Sequence, residues 1–307
     1  MSRNVLVTGG AGFIGSSLVD ELTSEGCRVF VADNLSSGKR EHARIPDDRF
    51  LPIDVLDASS LAGAIREVAP VWVIHLAAIH FIPYCNAHPY ESSNINLKGT
   101  LNDLDALRAV PSVRKVFFAS TMAVYADSPV PVTEDSPAVP LDIYGLTKLV
   151  GERLVREFHL GTKVPCVIGR LSNAYGPRET NPHLIPEIFR QVQEGGRVVQ
   201  LGNIATRRDY IHTSDMVRAI FRLMRADGDG VDVYNIGAGQ SYTASDAVRY
   251  FERALDCKLD VVVASDRVRK NDRALLQADI SKIRAAIDWE PKMNFEDGIK
   301  ALVRGDV

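Results

Sequence analysis

The feature that most constrains this chain is an alternation, through its first half, of short apolar runs with longer amphipathic segments. The apolar runs lie at 5–8, 28–32, 71–75, 115–119 and 165–169, and the amphipathic segments at 13–25, 59–68, 92–110 and 144–159. Short strands that are apolar throughout are typical of a parallel sheet covered by helices on both faces. The pattern therefore predicts an α/β fold with a doubly wound parallel sheet.

The character of the chain changes after Tyr175-Gly-Pro177, where segments become shorter and richer in Pro, Asn and Arg. A length of 307 residues suits one large domain with a smaller one. We expect residues 1–176 and 205–236 to form the sheet domain. Residues 177–204 and 237–307 are expected to form a smaller α/β lobe on the C-terminal side.

The charge balance limits the classes of partner. Thirty-six basic and thirty-nine acidic residues leave a net charge of −3. Nucleic acids and anionic membranes both require a basic excess, so neither is expected as the main partner. The four scattered cysteines and the histidines show no metal-ligand spacing, which favours reduced thiols and no metal site. With no signal peptide and no apolar run of transmembrane length, we expect a cytoplasmic protein.

A glycine-rich turn follows the first predicted strand and opens the first predicted helix. Gly9, Gly12 and Gly15 leave room for a tight turn and for close approach of the backbone to a pyrophosphate. The helix N-terminus adds N–H donors and the positive end of the helix dipole. Glycine turns also occur for purely steric reasons, but the position between strand and helix favours a dinucleotide site of the Rossmann type.

Acidic residues follow the next two strands. Asp33 ends the second strand, where a carboxylate accepts hydrogen bonds from the adenosine ribose hydroxyls, although it could instead only cap a turn with Asn34. A carboxylate there repels the 2′-phosphate of NADP, so NAD is favoured, with nearby Lys39 and Arg40 acting against this preference. Asp54 either holds the adenine amino group or is an ordinary surface residue.

A phenol and an ammonium are spaced for one helix face. Tyr144 and Lys148 are four residues apart, and Thr121 ends a strand upstream. A nearby ammonium stabilises phenolate, so we expect Lys148 to lower the pKa of Tyr144 toward neutrality. A phenol tuned in this way is a general acid/base for a sugar or alcohol hydroxyl, and Thr121 is placed to orient that hydroxyl.

The chain resembles the extended short-chain dehydrogenase/reductase family and, within it, the UDP-galactose 4-epimerase-like sugar-nucleotide enzymes. The resemblance runs over nearly the whole sequence. It rests on segments 8–15, 33–39, 75–78, 96–100, 120–125, 144–148, 173–177, 208–212, 234–237 and 279–282. It implies a Rossmann fold, bound NAD, a nucleotide-diphosphate sugar substrate (most simply a UDP-sugar) and a homodimer packed through helices near 92–110 and 144–160.

The resemblance also implies roles for individual residues. Tyr144 is implied as the acid/base, Lys148 as a ligand of the nicotinamide ribose, and Thr121 as a contact of the reacting hydroxyl. The implied cofactor contacts are Gly9, Gly12, Phe13, Ile14, Gly15, Asp33, Asn34, Ser36, Gly38, Asp54, Val55, Leu76, Ala77, Ala78, Tyr144 and Lys148. The implied substrate contacts are His80, Thr121, Asn173, Leu184, Ile185, Arg208 and Arg269.

Some of these roles have alternatives. Arg208 and Arg269 would neutralise the diphosphate, but Arg208 could instead pair with Asp209. Asn271 stands where the Arg-x-Gly-Asp turn usually has glycine, which affects the placement of Arg269. A histidine that only satisfies local backbone groups is the more ordinary interpretation of His80.

Two further departures from the family pattern lie beside the predicted catalytic residues. Asp142 and Ile143 replace the small residue and proline that usually precede the tyrosine, and Ala126 replaces a glycine.

The leading hypothesis is NAD-dependent C4 epimerisation through a transient 4-keto sugar. Related dehydratases carry an Asp-Glu pair directly after the threonine, whereas this sequence has Met122 and Ala123, which cannot exchange protons. A dehydratase or an NAD(P)H-dependent keto-sugar reductase using the same residues stays an alternative. A catalytically idle NAD-binding protein is disfavoured by the intact Tyr144, Lys148 and Thr121.

Overall fold

The computed structural model describes residues 3–268 and 272–305. Its first half contains β1 (Asn4–Thr8), α1 (Phe13–Ser24), β2 (Arg28–Ala32), β3 (Phe50–Leu51), α2 (Ala58–Val68), β4 (Trp72–His75), α3 (Ile82–Ala87), α4 (Pro89–Ser93), α5 (Gly99–Arg108), β5 (Lys115–Thr121), α6 (Ile143–Thr162) and β6 (Cys166–Leu171). Its second half contains β7 (Asn173–Tyr175), α7 (Leu184–Gln193), β8 (Val198–Leu201), β9 (Arg207–His212), α8 (Thr213–Arg225), β10 (Val231–Ile236), β11 (Ser241–Thr243), α9 (Ala244–Leu255), β12 (Asp260–Val263), β13 (Leu275–Leu276), α10 (Ser281–Ile287) and α11 (Phe295–Arg304).

A seven-stranded sheet in the order β10-β6-β5-β4-β1-β2-β3 forms the centre of the molecule, and all its strands are parallel. Its two faces bury different hydrophobic clusters. Val5 and Val7 of β1 belong to the cluster that includes α1 and α8, whereas Leu6 between them belongs to the cluster that includes α2, α5 and α6. Helices bury both faces of the sheet, which explains why the strands are apolar at every position. The predicted doubly wound fold is confirmed.

A smaller lobe has its own core. A four-stranded sheet contains β11, β9 and β13 with β7 paired to β9, and β8 pairs with β12 in a separate two-stranded sheet. A third hydrophobic cluster joins α7, α9 and α11 through Ile188, Phe251 and Ile299. The chain returns to the central sheet through α8 and β10, whereas β9 belongs to the small sheet. Ile283 and Trp289 pack in the first cluster, although they fall in the segment predicted for the lobe.

The predicted long helix over 92–110 is present, but it contains a π-helical turn. The segment is divided into α4, a π-helical turn at Asn94–Lys98, and α5. Buried Asn96 accepts from the Ile79 N–H (2.8 Å) and donates to the Ile79 carbonyl (3.0 Å) and the Thr147 hydroxyl (3.0 Å). The wider turn directs Asn96 inward, and its side chain then ties the segment after β4 to α6.

Candidate active site

A cavity of about 1600 Å³ opens along the carboxyl ends of the central strands and is closed on the other side by residues of the small lobe. This edge is where ligands bind in doubly wound folds. Every predicted site residue that the structure describes lines this cavity. These residues are Gly9, Gly12, Phe13, Ile14, Gly15, Asp33, Asn34, Ser36, Gly38, Asp54, Val55, Leu76, Ala77, Ala78, His80, Thr121, Tyr144, Lys148, Asn173, Leu184, Ile185 and Arg208. Arg269 lies outside the described residues.

The glycine turn between β1 and α1 has no room for side chains. Gly9 has a left-handed φ of 72°, and a Cβ there would approach the Ala77 nitrogen to 2.8 Å. A Cβ on Gly15 would overlap the Gly9 carbonyl oxygen. Gly12 caps α1 without any side-chain hydrogen bond, and the first turn of that helix has no acidic residue. The N-terminal amides of α1 are therefore available to a phosphate.

Asp33 is hydrogen-bonded to the backbone of the glycine turn. Its buried carboxylate accepts from the Ala11 N–H (2.9 Å) and the Leu35 N–H (2.8 Å). The proposed turn-capping role is thus present, and the same side chain lines the cavity. Asn34 in turn donates to Asp54 (2.9 Å), so the two loops that border this end of the cavity are joined by a hydrogen bond.

The predicted catalytic residues come together where β5 meets α6. The Thr121 hydroxyl accepts from the Ala123 N–H (3.1 Å) and lies close enough to the Tyr144 phenol to lower the pKa of that phenol. Asp142 caps α6 by accepting from the Gly145 N–H (2.7 Å). A Cβ on Gly145 would lie 2.5 Å from the Ala123 carbonyl oxygen, so its absence allows α6 to approach the end of β5 closely.

The pKa of Tyr144 is raised, whereas the sequence analysis predicted that it would be lowered. Burial raises the pKa of this phenol above its ordinary value, and the hydrogen bond with Thr121 lowers it only in part. The prediction that Lys148 brings the Tyr144 pKa down toward neutrality is therefore wrong for the protein alone. Desolvation disfavours the phenolate more than these neighbours stabilise it.

Lys148 is itself strongly affected by burial. Its side chain is 3% exposed, and desolvation lowers its pKa to about 7. The Nζ atom lies 5.0 Å from the centre of the Phe118 ring. Within residues 3–268 and 272–305, no group accepts a hydrogen bond from this amine. A buried amine without an acceptor is suited to a ligand that supplies one.

Histidines and an amide from both parts of the chain meet beside Lys148. Asn181 Nδ2 lies 3.1 Å from His80 Nε2, and the His183 ring stacks on the His80 ring at 5.6 Å. Burial and then the charge of Lys148 lower the pKa of His80 to about 4. His80 is hydrogen-bonded to the backbone of Ala78 as well, so the local role is present alongside the contact with the lobe.

Sequence reasoning missed Glu179, a carboxyl group that lines the cavity. Its side chain is 3% exposed, and burial raises its pKa to about 9. Its Oε1 atom lies 3.6 Å from His183 Nε2, whereas Oε2 has no hydrogen-bond partner among the described residues. The glutamic acid is thus protonated at neutral pH. A lone Glu in a polar segment gives no sequence signal of such burial.

Arg208 forms an ion pair with Asp272 and not with Asp209, the partner considered from the sequence. Its guanidinium pairs with Asp272 and donates to the carbonyls of Arg207 (2.8 Å) and Arg273 (2.8 Å). Asp209 points the other way, where its buried carboxylate accepts from the backbone N–H groups of 238, 239 and 278. Arg208 nevertheless lines the cavity, so it stays available to an anion.

Other residues on this wall of the cavity come from β7 and α7. Asn173 of β7 is exposed there. Leu184 begins α7, and Ile185 turns into the third hydrophobic cluster.

The part of the chain that the structure describes lacks two features. It contains no group of His, Cys, Asp or Glu side chains suited to a metal ion. It also contains no helix long and apolar enough to cross a bilayer.

Comparison with known proteins identifies relatives along the whole chain. The model of the NAD dependent epimerase/dehydratase family matches residues 5–237. The crystal structure of the UDP-glucose 4-epimerase of Thermus thermophilus in complex with NAD is 31% identical, with a TM-score of 0.90, over 99% of this chain and 100% of that one. The UDP-glucose 4-epimerase of Azospirillum brasilense is 33% identical over 97% of this chain and 90% of its own length. A dTDP-glucose 4,6-dehydratase of Neisseria gonorrhoeae is 28% identical over 98% and 95%.

Proposed function

Because this chain belongs to the NAD-dependent epimerase/dehydratase family, we propose that it epimerises a nucleotide-diphosphate sugar at C4 with no net oxidation or reduction. The observation that carries the proposal is the meeting of two sites in one cavity. The glycine turn lines this cavity, and so do Tyr144 and Thr121, whose hydroxyl lowers the pKa of the Tyr144 phenol. The two relatives with the highest identity reported above are both UDP-glucose 4-epimerases.

The residues present fit NAD. The turn from Gly9 to Gly15 would leave the N-terminal amides of α1 to the pyrophosphate, and the Asp33 carboxylate, which lines the cavity, would accept from the adenosine ribose. Lys148, which has no hydrogen-bond acceptor among the described residues, would donate to hydroxyls of the nicotinamide ribose. When bound, NAD supplies the acceptor and donor of the hydride.

Tyr144 and Thr121 would handle the proton of the C4 hydroxyl. Thr121 orients the hydroxyl, and Tyr144 removes its proton as the 4-keto sugar forms and returns it in the reverse step. Since burial raises the pKa of Tyr144, the phenolate needs added positive charge, which a protonated Lys148 and the cationic nicotinamide would provide. The cavity of about 1600 Å³ leaves room for the keto sugar to turn and present its other face.

The remaining cavity residues would hold the nucleotide and diphosphate. Asn173 and Arg208 are placed to bind phosphate oxygens, and we propose the same role for Arg269. Leu184 and Ile185 at the start of α7 would lie against the base, for which uracil is the simplest choice. His80 would contact the sugar beside Lys148.

The alternative is 4,6-dehydration, which one relative catalyses according to its name. Met122 and Ala123 line the cavity and cannot exchange protons, but Asp142 and the protonated Glu179 line it too. The test is incubation of the purified protein with nucleotide sugars and no added cofactor, followed by NMR and mass spectrometry. Epimerisation leaves the mass unchanged and regenerates NAD, whereas loss of one water or a requirement for added NAD(P)H would contradict the proposal.

We also propose a homodimer packed through α5 and α6. The exposed apolar side chains Leu101, Leu146 and Val150 on these helices support it. Light scattering of the purified protein tests this assignment, and a monomeric mass would contradict it.

The four free cysteines are consistent with the reducing cytoplasm, which we propose as the location.

A further inference from the structure

Arg273 is a buried arginine that forms no ion pair with any carboxylate in the described part of the chain. Its side chain lines the cavity, and the residue is only 6% exposed. One terminal nitrogen, Nη2, donates to the carbonyls of Ala123 (3.0 Å) and Tyr125 (2.7 Å). The Nε atom is buried without a hydrogen-bond partner, and within the described ranges no carboxylate lies within 4.0 Å of the guanidinium.

The nearby acidic groups are engaged elsewhere. Asp272 pairs with Arg208, and Asp142 caps α6 on the Gly145 N–H. These carboxylates and Asp127 act on Arg273 only at longer range, whereas Arg208 opposes its charge. A buried cation costs free energy unless an anion compensates it, and an arginine in a cavity is a preferred binder of carboxylates and phosphates.

The position of Arg273 distinguishes these two anions. Its hydrogen bonds are to the segment directly after Thr121, so the guanidinium lies beside the place proposed for the sugar C4 hydroxyl. Arg208 and Asn173, which line the same cavity, are the residues proposed for the diphosphate. Two ring carbons flank C4: C3 carries a hydroxyl, and C5 carries a substituent that is a carboxylate in a hexuronate.

Resting on the proposed function, we propose that the substrate is a nucleotide-activated uronic acid, whose C5 carboxylate Arg273 binds. Met122 and Ala123 add no competing carboxylate at this point of the cavity. Arg273 therefore determines the choice between a uronate and a neutral hexose, and the reaction remains C4 epimerisation.

The experiment measures binding to the NAD-loaded Tyr144→Phe protein, in which turnover is expected to be about 10²–10⁴-fold slower. Isothermal titration with UDP, UDP-glucose and UDP-glucuronate, and with the matching thymidine compounds, gives the contribution of the carboxylate. We expect the uronate to bind about 10- to 100-fold more tightly than the neutral sugar, as a charge-assisted hydrogen bond implies. Arg273→Gln should remove this preference and leave the affinity for the nucleotide diphosphate unchanged.

Two further variants keep the result interpretable. Arg273→Lys retains the charge and should keep part of the preference. Arg190→Gln is the matched control, because Arg190 lines the same cavity but already pairs with Glu187 and Glu194, and it should keep the full preference.

Three outcomes would overturn the proposal. One is equal affinity for uronate and neutral sugar in the protein that has Arg273, a result that does not depend on how any variant folds. Another is an equal loss of affinity for all the ligands in Arg273→Gln, which would show that the arginine binds a phosphate. The third is an unchanged uronate preference in Arg273→Gln. The proposed epimerisation is read separately, by NMR on the active protein, so the two can fail independently.

Discussion

Replacing Lys148 by methionine should stabilise the NAD-free protein while it damages the cofactor site. Burial lowers the pKa of this amine from 10.5 to about 7. At roughly 1.36 kcal/mol per pKa unit, this corresponds to about 4–5 kcal/mol of unfavourable free energy for the buried ammonium. Methionine has a similar length and no charge. It loses the attraction of the ammonium to the Phe118 ring, so we expect a net gain of about 1–3 kcal/mol in the free energy of unfolding.

The pH dependence of this gain is also determined by the lowered pKa. Between pH 7 and 10.5, the unfolded chain keeps a proton on Lys148 that the folded chain has released. The stability of the parent protein therefore rises with pH relative to that of Lys148→Met, and the advantage of the variant shrinks. Urea unfolding of cofactor-stripped protein at several pH values measures this difference.

Lys115→Met is the matched control. Lys115 is also a buried lysine with a lowered pKa, but its ammonium donates to the carbonyls of Leu223 (2.9 Å) and Ala226 (2.5 Å). Removing it leaves two acceptors unpaired, so this variant should lose stability. A loss of stability in NAD-free Lys148→Met, or a difference from the parent that does not change with pH, would refute the reasoning. With NAD present, Lys148→Met should bind the cofactor about 10- to 100-fold more weakly.

Three further predictions concern the cofactor and the reaction. Tyr144→Phe should lower turnover by about 10²–10⁴-fold while NAD stays bound; turnover at the parent rate, followed by NMR, would contradict the proton-transfer role. NADP should bind more weakly than NAD because the Asp33 carboxylate lines the cavity and would repel a 2′-phosphate, and equal affinities by fluorescence titration would show that this interpretation is wrong. Gly15→Ala should lose NAD and stability because its Cβ overlaps the Gly9 carbonyl oxygen. Gly63→Ala in α2, where nothing lies within 4 Å, should be neutral or slightly stabilising in thermal unfolding.

The sequence alone predicted the parts of this protein that depend on local pattern. The strands β1, β2, β4, β5 and β6 follow from continuous apolar runs, since a sheet covered on both faces needs apolar side chains at every strand position. The glycine turn and the spacing of Tyr144 and Lys148 are likewise visible, because each is set within a few residues of chain. The resemblance to a known family then supplied the residues expected to contact the cofactor and the substrate, all of which line the cavity where the structure describes them.

Other features were decided only by the tertiary structure. The π-helical turn at 94–98 depends on the contact of Asn96 with Ile79, and nothing in the local pattern indicates it. The pKa values of Tyr144 and Glu179 depend on how much water the surrounding residues exclude, which is a property of the whole fold.

Arg273 illustrates the same limit at the proposed sugar site. In the sequence it is one arginine in a charged loop, and only packing against the carbonyls of 123 and 125 makes it a buried cation. Periodicity and motif spacing report which residues are apolar or close along the chain. The solvent exposure and the partners of a charged side chain are set by elements far apart in sequence, and those become known only when the chain has folded.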